Sequence, residues 1–135
     1  MPTKEKTVSI RLVPADFEKL EAQARRRFSK PATVGSFMVS QRLRAASHPA
    51  IDFQDTPDGG FCARIAGRRV SVWLAVDALT RCAGNKRKAA RSLNLPEPLL
   101  VAALNYAAEY PDEIAADARR GRRTLKECGL EEAPP

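Results

Sequence analysis

Thr7, Ser9 and Arg11 stand two residues apart, with Val8, Ile10 and Leu12 interleaved. Period two is the repeat of a strand, so the polar trio falls on one face and the apolar trio on the other. Two hydroxyls and a guanidinium in a row supply hydrogen-bond donors without a nucleophile–base pair or a metal-ligand set. In a chain with 23 Lys and Arg against 16 Asp and Glu, a net charge of +7, such a row suits contact with DNA. A plain solvated strand face is the alternative. Further cations lie at Arg25-Arg26-Arg27, at Lys86, Arg87, Lys88 and Arg91, and at Arg119, Arg120, Arg122 and Arg123. Of these, Arg25 is a candidate phosphate contact, although cations also suit a helix C-terminus on their own.

Catalytic chemistry is poorly represented, and the expectation is that the protein is not an enzyme. There is no phosphate-binding glycine loop, no G-x-S-x-G and no H-E-x-x-H. Cys62, Cys82 and Cys128 are odd in number and scattered, which argues against a disulfide framework and for a reducing compartment. His48 is the single histidine and reads as a linker residue. Neither a metal nor a cofactor is expected, because Cys and His are not clustered. Asp52, Asp55 and Asp58 could be read as a metal site, but Pro57, Gly59 and Gly60 among them read better as turn chemistry. No apolar run approaches the roughly 18 residues of a membrane helix, and no signal segment opens the chain, so a cytoplasmic location is expected.

The elements that would carry the first row are short. After the strand, Pro14 and Asp16 suit the first turn of a helix bearing Phe17, Leu20, Ala24 and Phe28. Ser29 to Ala32 breaks it, and Thr33 is a plausible N-cap for a second helix to about Ser47. One strand has two unpaired edges, and two short helices cannot enclose it. A two-fold dimer with antiparallel strands solves both problems and leaves Thr7, Ser9 and Arg11 of both chains on an exposed ribbon. Residues 1–48 carry ten basic and four acidic residues, a net +6, whereas residues 49–118 come to −1.

With that alternating strand, the Pro-started first helix, and Ser36 ahead of Met38-Val39 and Leu43, residues 6–47 resemble the ribbon-helix-helix repressor domain of MetJ/Arc/CopG type. The resemblance implies that Thr7, Ser9 and Arg11 read bases in the major groove. It also implies that the backbone near Val34, Gly35 and Ser36 holds a DNA phosphate. Arg42 departs from the pattern, in which small apolar residues are common.

From His48 the pattern changes. Ile51–Phe53 and Phe61–Ile65 read as strands joined by a turn at 55–60, and Val70–Trp73 as a third short strand. Three helical stretches follow: Leu74 to Cys82, ended by Gly84; one capped by Asn85; and one from about Pro96–Pro98 to Tyr110, interrupted by Pro111. Asp112 to about Arg120 could add another turn or two. Trp73, Cys62 and Cys82 read as core residues. The fold expected is mainly α with short β: a ribbon-helix-helix dimer unit over 1–47, a small hairpin with a helix-turn-helix-like trihelix over 48–118, and a basic flexible tail over 119–135. The third helix carries no Lys or Arg between Glu97 and Tyr106, which favours packing or partner binding over DNA reading. Lys86, Arg87, Lys88 and Arg91 keep a DNA role open.

Ala66-Gly67-Arg68-Arg69-Val70 before Trp73, Ala89-x-x-Leu93-x-Leu95, and Tyr110-Pro111-Asp112-Glu113-Ile114 make residues 48–118 resemble the bacterial domain of unknown function 433. Such domains occur behind ribbon-helix-helix units in VapB-like antitoxins, beside PIN-like nuclease toxins. The resemblance thus implies an antitoxin that represses its own operon and neutralises the nuclease. Arg119, Arg120, Arg122, Arg123 and Leu125 would be the toxin-binding candidates, the arginines approaching the nuclease carboxylates and Leu125 an apolar groove. The partners expected are double-stranded operator DNA, a PIN-like toxin, and a second copy of the chain in a homodimer or higher even oligomer, with no membrane. A ribbon-helix-helix regulator without a toxin partner is the alternative, and a small enzyme or RNA-processing factor a third, for which no catalytic cluster is visible.

Overall fold

The computed structural model describes residues 5–56 and 60–129, and is mainly helical with one two-stranded sheet. Close contacts group the chain into two units, one up to Val39 and the other from Ser40. The division falls inside a helix rather than at the expected 47/48 boundary.

In the first unit, residues 5–13 form no regular element. Helix α1 runs Pro14–Arg26, with Pro14 in its first turn and Asp16 near its positive end. It closes with a left-handed residue: Phe28 has φ 52°, its N–H donates to the Arg25 carbonyl, and the Ser29 N–H donates to the Ala24 carbonyl at 2.9 Å. Helix α2 spans Pro31–Ser47. It starts ahead of the expected Thr33 cap because Pro31 already has the fixed φ a first turn needs. The N–H groups of Thr33 and Val34 both reach the Lys30 carbonyl. Ala24 and Val34 are the buried apolar residues described in this unit.

The second unit holds the core. Strands β1 (Ile51–Asp55) and β2 (Phe61–Ile65) pair antiparallel, with Ile51 opposite Ile65 and Phe53 opposite Ala63. The expected turn between them falls partly on 57–59, outside the described residues. The expected third strand is absent: a single bridge joins Arg64 to Ser71, and Val72 and Trp73 open helix α3 (Val72–Arg81). The Ile65 N–H donates to the Val70 carbonyl and closes the turn, so the chain enters the helix before a ladder can grow. Val72 and Trp73 are buried from that first turn.

Asn85 caps α4 (Lys86–Ser92), its side chain accepting from the Lys88 N–H at 3.1 Å. Helix α5 runs Glu97–Glu109. Pro111 then begins a new helix, α6, that reaches Glu127. The flexible tail expected from Arg119 is therefore, as far as Glu127, the second half of α6. Ile114, Ala118, Gly121 and Leu125 recur at helical spacing; Ile114 is buried in the core, and Ala118 and Leu125 pack against it. The stripe is hard to see in the sequence because two of its four members are small.

Gly121 has a specific role. A Cβ built on it would lie 2.3 Å from Cζ2 of Trp73, an indole held 93% out of solvent. In an open helix Gly→Ala gains roughly 0.5–1 kcal/mol. Here the expected sign is opposite: Gly121→Ala should lose about 1–3 kcal/mol through overpacking, read as a lower urea midpoint at unchanged m-value.

Candidate nucleic-acid interface

Thr7, Ser9 and Arg11 all lie exposed in the segment before α1, and no strand is formed there. The physical reason is that a strand exists through its ladder, and one chain offers this segment no partner. The apolar residues between them are open as well: Val8 is 76% exposed and Ile10 59%. Leu12, Val13 and Phe17 are also exposed, as are Met38 and Val39 on α2 and, one turn further on, Leu43.

The expected phosphate-binding backbone needs correction. Because α2 begins at Pro31, residues 34–36 lie beyond the first turn, where free N–H groups are found. The Val34 N–H is spent on Lys30 and its side chain is buried. Gly35 lies against Leu20, with 3.6 Å from its Cβ position to the nearest methyl. The Ser36 hydroxyl donates to the Ala32 carbonyl at 2.9 Å. Arg25 and Arg42 are exposed and carry no ion pair among the described residues.

Of the five expected toxin contacts, three are engaged within their own unit. Arg120 lies 3.4 Å from Asp117, and Arg122 pairs with Asp77 at 3.0 Å while sitting over the Trp73 ring. Leu125 packs on the core rather than standing free. Arg119 and Arg123, one turn apart on α6, are exposed and have no ion-pair partner among the described residues.

Several polar residues gain roles that their sequence positions did not suggest. Arg44 bonds Glu113 at 2.7 Å and stacks 4.4 Å from the Tyr110 centroid. The fully buried Tyr106 donates its hydroxyl to the same Glu113, and burial together with that carboxylate pushes the phenol pKa up. His48 is no linker residue: its Nε2 meets Glu109 at 2.6 Å, and this bond holds the Glu109 carboxyl below its usual range. These bonds tie the end of α2 to α5 and α6, which is why the unit boundary moves upstream of Ser47. Asp52 is held by Arg64 at 2.8 Å, and Asp58 lies outside the described residues. Asp117 is buried at 4% exposure; its Oδ2 has no partner, and burial lifts its pKa to about 6. Burial likewise raises the neighbouring Cys62 thiol, which lies 3.8 Å from the Ser71 hydroxyl.

The second unit carries one conspicuous basic surface. Lys86, Arg87, Lys88 and Arg91 are exposed on α4, and Arg68 projects from the turn after β2. Arg68, Arg87 and Arg91 line one open basin of about 520 Å³ with Asn94, Pro96 and Glu97. No helix among the described residues is long and apolar enough to cross a membrane. Comparison of the chain with protein families, characterised proteins and solved structures finds no match.

Proposed function

We propose that the protein is a homodimeric DNA-binding antitoxin of ribbon-helix-helix type that represses its own operon and neutralises a PIN-like nuclease. The observation that carries the dimer is the bare apolar surface of the first unit. Val8, Ile10, Leu12, Phe17, Met38 and Val39 are exposed while only Ala24 and Val34 are buried there among the described residues. A unit of under roughly 40 residues with so little core needs a partner to fold. A second copy supplies the missing strand and covers Val8, Ile10 and Leu12 at once. The strand's other face then presents Thr7, Ser9 and Arg11 to duplex DNA within the segment of highest positive charge.

Fluorescence titration of duplexes tiled across the region upstream of the protein's own gene tests the DNA reading. The Arg11→Ala variant should lose roughly 1–3 kcal/mol of discrimination between its preferred duplex and an unrelated one. Unchanged discrimination would remove Arg11 from base reading.

The toxin-neutralising part rests on the VapB-like resemblance and on Arg119 and Arg123. Replacing both by alanine should weaken inhibition of RNA cleavage by the adjacent gene's nuclease while leaving DNA binding intact. A second reading, a ribbon-helix-helix regulator without a toxin, is favoured by the engagement of Arg120, Arg122 and Leu125 inside their own unit.

A further inference from the structure

The geometry points to a second, sequence-independent site for the phosphodiester backbone of DNA, formed by Arg68, Arg87 and Arg91 in the second unit. It deepens the DNA-binding reading above, yet its residues are separate from the ribbon. Three observations carry it. The first is convergence: two arginines one turn apart on α4 and a third from the turn after β2 line the same open basin. The second is the lack of internal neutralisation. None of the three has an ion-pair partner among the described residues, and Glu97 is the single carboxylate on the basin wall.

The third observation is that α4 is built against its own local electrostatics. Lys86, Arg87 and Lys88 occupy its first turn, which has no acidic residue, where the helix dipole disfavours cations. Arg87 and Arg91 are like charges at i and i+4, another unfavourable pairing. Each conflict is mildly destabilising in an exposed helix. The fold gains nothing visible in return, since Ala89 and Ala90 supply the helix's buried face. A local rule broken without structural compensation marks a functional surface, and an external polyanion relieves all of these repulsions together. The basin is open rather than enclosed, and its wall carries three arginines against a single amide side chain, Asn94, rather than a row of amides to read successive bases. Backbone phosphates, which need only charge and fork geometry, are the fitting ligand.

The test uses the full chain and a duplex unrelated to the upstream region, titrated at three salt concentrations. The combined Arg68→Gln, Arg87→Gln and Arg91→Gln variant should bind this duplex about 10-fold or more weaker at low salt, with its log–log salt slope reduced by roughly 2–3. Its melting temperature should equal or exceed that of the unmodified protein, because like charges have been removed. Glu97→Gln, which leaves the arginines in place, should bind more tightly. Unchanged affinity and slope in both variants would overturn the site. The ribbon is tested separately, by Arg11→Ala on the preferred duplex. Loss there with no change in the triple variant leaves the ribbon standing and removes the basin. The converse result keeps the basin and removes the ribbon.

Discussion

Light scattering of the Ile10→Pro protein should report monomers at concentrations where the unmodified protein is dimeric, and that variant should no longer shift duplex DNA. Proline has no N–H for a ladder and fixes φ near −65°, away from the extended range of a strand. It also replaces a β-branched side chain that is 59% exposed in the single chain and that a partner strand would cover. A two-stranded ribbon has no other strand to absorb the loss, so the effect is close to all-or-none. The damage should be confined to the first unit. The core built by Ile65, Val72, Leu100 and Tyr106 belongs to the second unit and should still melt cooperatively. Ser9→Pro is the matched control: alternate residues carry the ladder of a two-stranded antiparallel pair, so if the Ile10 N–H faces the partner the Ser9 N–H faces away, and the change removes no apolar side chain. If Ile10→Pro remains dimeric, the strands are not the interface, and the exposed α2 residues Met38 and Val39 become the place to look. If Ser9→Pro stays dimeric while Ile10→Pro is monomeric, pairing at the Ile10 position is what holds the dimer together.

How far the sequence carried this reading depends on which interactions are local. The starts of α1, α4 and α5 were legible because their signals sit within the first turn: Pro14 with Asp16, Asn85 as a cap, and Pro98. The hairpin was legible because Ile51–Phe53 and Phe61–Ile65 flank a Pro- and Gly-rich turn. Long-range partnerships were not. His48 gave no sign that Glu109, 61 residues on, would bond it, nor Arg44 that Glu113 would. The length of α6 was hidden because Ala118 and Gly121 are too small to register as a stripe, although Gly121 is small because Trp73 lies beneath it. Val70–Trp73 alternates like a strand over four residues, too short a window to separate period two from a helix start. The candidate ribbon was legible as a pattern only, since one chain cannot form it. The basin cations were visible as α4 residues, but Arg68 joins them only through the packing of the turn after β2.

Asp117→Asn is expected to remove a distinct pH dependence of stability between about pH 4 and pH 6.5. The Asp117 carboxyl is 4% exposed and its Oδ2 is unpartnered, so the charged form is poorly solvated. Burial is the main cause of its rise from 3.8 to about 6; Glu113 adds to it, while Arg120, the Cys62 thiol and the Ala63 N–H oppose it. The folded state therefore holds this proton more tightly than the unfolded chain does. Its stabilisation is complete below the unfolded value of 3.8 and disappears as pH rises through about 6. Above that, burying the carboxylate costs up to roughly 3 kcal/mol relative to the acid form. Glu109, held below its usual range by His48, works in the opposite sense: its contribution is lost as pH falls. Subtracting the two urea-derived stability curves cancels Glu109, since both proteins contain it. An asparagine amide that finds no acceptor near the former Oδ2 shifts the whole variant curve by a constant and leaves its shape alone. The readout is thus the slope of the difference. The unmodified protein should lose stability relative to Asp117→Asn between pH 4 and pH 6.5 and run parallel to it above pH 7. A difference independent of pH over that window would mean that Asp117 is already ionised at pH 5, with its orphaned oxygen reached by water or by Arg120.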